Sequence, residues 1–209
     1  MKRILKNILP VLLIAMAFAY GSGCAMPSPG QRSRSAVLEA QTAETQGNWQ
    51  SAAASWQRAI NIEQGIWKDP ERANSPKRLA MYYYELGRSL GALGRYDESE
   101  RALHRALRLD QKYGGPMGMD YAELARLYHT NGYITKSASC FHIVMQHLDE
   151  VDNIDPAEYL AVVNEAAVVA KASGDSAWAE KLEAKAKNYS TAHPNLTIPG
   201  DWTPYKKTE

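Results

Sequence analysis

This sequence is poor in the residues that staple chains or hold metals. Its 209 residues include two cysteines, two phenylalanines and five histidines. Cys24 and Cys140 are far apart, so no framework of several disulfides organises the fold, and the absence of any CxxC pair excludes the usual thiolate zinc or dithiol redox site. There is no HExxH helix, no GxSxG elbow and no phosphate-binding glycine loop. The tightest grouping of possible metal ligands is Cys140, His142 and His147. On one helix, successive members point roughly 200 and 140 degrees apart, so they do not converge on one ion. The acids Asp149, Glu150, Asp152 and Asp155 lack the alternating ligands and central glycine of a calcium loop. They read as a polar connection ending in a helix cap. No catalytic residue, metal or cofactor is expected, and the chain reads as a non-enzyme.

An excess of positive charge is also missing. Lysine plus arginine number 24 against 23 acids. Residues 1–23 hold three of the bases, Lys2, Arg3 and Lys6, and no acid. The remainder therefore carries 24 − 3 = 21 bases against 23 acids, near −2. No basic face stands out, which argues against nucleic acid as a partner.

Long apolar runs are absent apart from one, from about Ile8 to Tyr20. It is shorter than the ~20 residues of a comfortable membrane span. Placed behind Lys2, Arg3 and Lys6, it reads as a secretory signal over residues 1–23. Gly21, Ser22 and Gly23 just before Cys24 resemble a bacterial lipobox, although Gly21 departs from the usual leucine-like residue. The resemblance implies cleavage before Cys24 and lipidation of its thiol; an ordinary secreted protein with a free Cys24 is the alternative. Two or more acyl chains give stable anchorage. Ala25 rather than aspartate at the next position resembles lipoproteins sent to the outer membrane, so the expected site is lipid-anchored there and facing the periplasm. Residues 24–29 would be a linker after the lipidated cysteine.

What the sequence does have is a repeat. A glycine, a bulky residue two on, a small one at five, a large one at nine, and a small–large pair at twelve and thirteen recur. The first copy is Gly47, Trp49, Ala52, Trp56, Ala59, Ile60; the second is Gly94, Tyr96, Ser99, Leu103, Ala106, Leu107. The third is Gly132, Ile134, Ser137, Phe141, Val144, Met145, and a weaker fourth keeps Gly174, Ala179 and Ala186. This is an apolar stripe at helical spacing behind a glycine turn. Pro29, Pro76, Pro116 and Pro156 precede the four glycines by 18, 18, 16 and 18 residues. Proline suits the first helical position, and Ser28, Ser75 and Asp155 stand before three of them as expected N-caps, with Glu158 at capping-box spacing. Each unit therefore reads as proline, helix A, glycine turn, helix B. Helix A carries Tyr83, Leu86, Gly87, Leu90 in the second unit and Tyr121, Leu124, Ala125, Tyr128 in the third.

That order of residues resembles the tetratricopeptide repeat family, whose unit is a 34-residue helix pair. The expected fold is all-α: a TPR-like helical-hairpin solenoid of about four helix pairs over residues 30–188, with an extended proline-containing tail over residues 189–209. Glycine-to-glycine spacings of 47, 38 and 42 place extra residues after helix B, in 61–75, in Gln111–Gly118 and in His147–Pro156. Some of these extend helix B and others form loop.

The resemblance also implies a concave groove lined by helix A. Its positions would be Met81, Tyr84 and Arg88 in unit two, Met119, Arg126 and His129 in unit three, and Asn164, Val168 and Lys171 in unit four. Tyr82, Tyr83 and Tyr84 cannot all be core, since adjacent helical positions diverge by about 100 degrees; Tyr83 is expected inside and Tyr84 in the groove. Arg88, Arg126 and Lys171 amid Tyr and Met suit an apolar peptide with acidic groups. Pairing of these bases with Glu85, Glu123 or Glu165 is the competing reading. The chaperone-binding members of the family clamp a carboxylate with lysine and asparagine positions; the asparagines are missing here, so that specificity is not implied. In the tail, Trp202 and Tyr205 leave three readings open: packing on the last helix, disorder, or a peptide ligand.

A solenoid offers a long curved surface for other proteins. The expectation is a scaffold bound to an envelope protein or peptide, an assembly or stability factor of a pilus or secretion machine. The alternatives are an adaptor of peptidoglycan-processing enzymes, a self-associating structural lipoprotein, and an enzyme, which would need polar groups converging between helices.

Overall fold

The computed structural model describes residues 26–67, 75–148, 155–196 and 203–207. Among them are eight helices and no strand: α1 (Pro29–Thr45), α2 (Trp49–Trp67), α3 (Ser75–Ala92), α4 (Tyr96–Tyr113), α5 (Met117–Thr130), α6 (Ile134–Leu148), α7 (Pro156–Ser173) and α8 (Ser176–Ala192). Each packs on the next in chain order, and α3 also touches α5. The result is a solenoid of four hairpins.

The hairpin turns are built alike, which follows from their glycines. Gly47, Gly94, Gly132 and Gly174 take φ values of 68°, 77°, 80° and 83°, a left-handed conformation that costs glycine nothing. In every unit the amide of the residue after this glycine reaches back five positions. Asn48 N donates to Ala43 O (2.8 Å), Arg95 N to Leu90 O (3.0 Å), Tyr133 N to Tyr128 O (2.9 Å) and Asp175 N to Ala170 O (3.1 Å). This satisfies a carbonyl that the helix end leaves open.

The repeating stripe is the core. At the large position, Trp56, Leu103 and Phe141 are almost fully buried; at the small position before it, Ala52, Ser99, Ser137 and Ala179 are as well. Truncating Trp56 or Phe141 to alanine is worth about 3–5 kcal/mol in such a setting. The small position also fixes the hairpin: Ser99 Oγ donates to Gly87 O and Ser137 Oγ to Ala125 O, both at 2.7 Å. The same bond thus recurs, 38 residues on, between helix B and the small residue of helix A.

The expected caps hold at two helices. Ser28 forms a capping box with Gln31, and Asp155 Oδ1 accepts from Ala157 N (2.9 Å) and Glu158 N (3.1 Å). Elsewhere the boundaries move by a residue or more. Pro116 is itself the cap residue before α5, and Ser75 is already helical. The extra residues after helix B lengthen α2 to Trp67 and α4 to Tyr113. Helix α8 continues to Ala192, into the stretch read as tail.

Tyr82 is buried along with Tyr83, while Tyr84 is half-buried. A helix inside a solenoid touches both its own hairpin partner and the preceding unit, so two adjacent faces are covered. Tyr82 packs against Trp56 of the first unit, ring centroids 5.7 Å apart, with its hydroxyl 3.4 Å from Ser33 Oγ.

Candidate interaction surface

Placing the units in register puts Glu85, Glu123 and Glu165 at one equivalent position, and Arg88, Arg126 and Val168 three residues further along the same helices. The spacing puts each pair on one face of helix A. The structure links them across helices into a ladder. Arg88 Nη1 donates to Glu85 Oε2 at 2.7 Å, and its Nε lies 4.0 Å from Glu123 Oε1. Arg126 Nη1 donates to the same Glu123 oxygen at 2.7 Å, while its Nε donates to Glu165 Oε2 at 2.8 Å. Charges therefore alternate from α3 through α5 to α7.

Glu123 is the hub. It is buried, and it also accepts from Tyr84 Oη at 3.4 Å. Burying charges this way yields little net stability, but removing one partner strands the others in a medium that solvates them poorly. Two acids of the ladder register the crowding. Burial, against the pull of Arg88, pushes the Glu85 carboxyl up to about 7; burial likewise raises Glu165, against Arg126. Tyr84 is pushed well above its ordinary value by burial and by the Glu123 charge. It stays a neutral hydroxyl donor.

The middle of the groove is filled by the chain itself. Residues 203–207 lie against α3 and α5. Arg88 Nε donates to Thr203 Oγ1 (2.7 Å), Tyr205 Oη donates to Glu123 Oε2 (2.5 Å), and Lys206 N donates to Gly91 O (3.1 Å). The Tyr205 ring occupies a slot that exists because residue 91 has no side chain: a Cβ there would stand 2.0 Å from Cε1 of the ring. Tyr205 packs on α3 and α5, against the concave face, and not on the last helix. Trp202 lies outside the described residues.

The groove positions expected from sequence thus divide. Tyr84, Arg88 and Arg126 come together with Glu123, and the arginines take the carboxylates named as their competing partners. Met81 and Met119 occupy equivalent, exposed positions on α3 and α5, and His129 is half-buried on α5. Asn164 and Val168 are exposed on α7, whereas Lys171 pairs with Glu183 of its own hairpin. The acids Glu85, Glu123 and Glu165 belong to the site as fully as the bases; the recurrence of an acid three residues before Arg88 and before Arg126 was the available signal. Thr203 was missed, because nothing local marks a contact 115 residues away.

Away from the groove, Cys140 is buried beside Phe141, and burial pushes its thiol up to about 11. His142 stacks on Trp178 with centroids 3.7 Å apart, and His104 Nε2 lies 3.2 Å from Tyr128 Oη. These histidines have packing roles. Cys24 and residues 1–23 lie outside the described residues.

The family model for the tetratricopeptide repeat matches residues 80–113. That span takes in most of α3 and all of α4. The likeness of architecture extends beyond that span: BtubC (BKLC) from P. vanneervenii superposes with a TM-score of 0.71 over 85% of this chain and 70% of that one, at 18% identity. The nearly identical TPR-like repeats of a Podosopora anserina protein described as a kinesin light chain give 0.59 over 82% of each chain, at 20% identity. At these identities the likeness is one of fold. No curated protein matches the sequence. The chain is an all-α, TPR-like repeat protein, a fold that suggests a scaffold for protein–protein interaction.

Proposed function

We propose that this protein is a lipid-anchored scaffold on the periplasmic face of the outer membrane, and that its concave face binds an extended segment of another envelope protein. One observation carries the binding half: a stretch of polypeptide, Thr203–Lys207, already lies in that groove through side-chain and backbone contacts together. A surface that accepts one extended segment has the donors, acceptors and slot to accept another. The anchoring half rests on the sequence alone, on Lys2, Arg3 and Lys6, the apolar run and the small residues before Cys24. An assembly or stability role in a pilus or secretion machine fits a binder with no catalytic constellation.

The test is crosslinking in cells from photoreactive residues at Met81 and Met119, exposed on the groove side, with exposed Gln57 on helix B as control. One discrete envelope protein captured from both groove positions and not from Gln57 supports the reading and identifies the machine. Capture of a peptidoglycan-processing enzyme points to the adaptor role. Crosslinks between copies, or equal capture from Gln57, remove the groove as the binding face. For the anchor, Cys24→Ala is expected to release the protein from membranes, and a retained, uncleaved precursor would count against lipidation.

A further inference from the structure

The way the tail sits in the groove has the features of a ligand in a site rather than of a strand laid over a surface. Tyr205 N donates to Thr203 O at 2.8 Å across Pro204, a three-residue turn whose centre suits the fixed φ of proline. The turn sends the Thr203 hydroxyl to Arg88 and the Tyr205 ring into the Gly91 slot, and the slot ends on the Glu123 carboxylate. Lys206 N then closes on Gly91 O, a carbonyl in the last turn of α3 that already accepts from Gly94 N at 2.9 Å. Three separate demands are met within four residues: a hydroxyl, a proline-held turn and a tyrosine. Residue 91 is the point of selection, since any side chain there would close the slot.

We infer that the slot between α3 and α5 is a recognition site for segments with a hydroxyl residue, a proline and a tyrosine in succession, and that Thr203-Pro204-Tyr205 is its resident ligand, which a partner segment of the same chemistry displaces. Arg88 reads the hydroxyl, Glu123 reads the phenol and Gly91 O reads the amide after the tyrosine. A tethered tail competes at an effective concentration in about the millimolar range. A free segment therefore binds the full chain weakly until the tail is disabled. The inference rests on the concave face being the binding surface and adds which chemistry it selects.

The test uses the full chain and a fluorescent peptide with the sequence of residues 201–209, DWTPYKKTE. In the Tyr205→Ala protein the slot is vacated, and the peptide is expected to bind at least about tenfold more tightly than to the wild type, by relief of that competition. A peptide with alanine for tyrosine should not bind. Gly91→Ala, which fills the slot with a methyl group, should abolish binding when combined with Tyr205→Ala; helical circular dichroism checks that each variant is folded. No binding to folded Tyr205→Ala protein, or equal binding to the wild type, overturns the inference. A crosslinked partner that lacks a hydroxyl–proline–tyrosine segment would likewise sink the slot while leaving the groove as the binding face.

Discussion

The concave face differs between its middle and its C-terminal end. On α3 and α5 the groove arginines bridge successive glutamates, a tyrosine and the tail close over them, and Glu123 is buried at the centre. On α7 the equivalent position holds Val168, 55% exposed, and its neighbours Asn164 and Lys171 also face water. The two regions share one backbone plan. What separates them is whether an arginine or Val168 stands three residues after the glutamate, and the consequence is that a substitution of the same type should cost very different amounts in the two places.

The largest difference is expected at Glu123. Glu123→Ala removes the buried carboxylate that Arg126 shares with Arg88, and with it the acceptor of two tyrosine hydroxyls. Breaking a buried charge cluster costs about 3–5 kcal/mol, whereas Asn164→Ala at the open end should change stability by no more than about 0.5 kcal/mol. Urea unfolding of the two variants measures both. Similar losses at the two sites would remove the distinction.

Next comes a pH effect confined to the crowded middle. Glu85 titrates near 7 in the folded protein against an ordinary 4.5, raised by burial and by the charges of Glu44 and Glu123, and opposed by Arg88. Between those values the native state holds a proton that the unfolded chain has lost. Stability is therefore fully present below about 4.5 and falls as pH rises through 7. Asp120 on α5, raised by burial and by its neighbour Asp110, acts in the same direction. From Glu85 alone, a loss on the order of 2 kcal/mol is expected between pH 5 and 7.5. In Glu85→Gln the slope should be shallower; an unchanged slope in that variant would show that Glu85 is not its source.

A smaller effect tests the hairpin contact that units two and three share. Residue 87 is glycine where unit three has Ala125. A Cβ on Gly87 would stand 2.6 Å from Leu103 Cγ and 3.3 Å from its backbone nitrogen. Overpacking costs about 1–3 kcal/mol, of which about 1 kcal/mol is offset by the better helix propensity of alanine. Gly87→Ala should thus destabilise by about 1 kcal/mol, and Leu103→Val in the same chain should recover part of it. A gain from Gly87→Ala alone would mean that the helices move apart without penalty.

Much of this was legible in the sequence because it is local and repeated. The glycine turns, the stripe at Trp56, Leu103 and Phe141, and the closely packed Gly87 and Ala125 each depend on contacts inside one hairpin, so the spacing along the chain is the contact map. The groove was half legible. Glu85 with Arg88 and Glu123 with Arg126 are visible at i and i+3, but that Arg126 also reaches Glu165 depends on how one hairpin stacks on the next. The tail was the least legible part: Tyr205 meets Glu123 across 82 residues, and no period or propensity encodes a contact of that range. The burial of Tyr82 beside Tyr83 is not visible in a single amphipathic stripe either, since such a stripe describes a helix with one neighbour and α3 packs on both α2 and α4.

The finest test extends the ladder into the region that lacks it. Val168→Arg places a guanidinium three residues after Glu165, as Arg88 stands to Glu85 and Arg126 to Glu123. Glu165 already accepts from Arg126, and among the described residues no further helix A follows α7 to supply another carboxylate. The new arginine can therefore make only the contact within its own helix. Such a pair is worth about 0.2–0.5 kcal/mol at low salt, and screening at 1 M salt, where the Debye length is about 3 Å, should erase it. Two urea curves, at low and high salt, decide the matter. A gain at low salt that vanishes at high salt shows the same register operating at the open end. A gain that persists at 1 M salt would instead come from the packing of the arginine's alkyl stem, and the charge ladder would then depend on the burial found only at α3 and α5, not on the repeat itself.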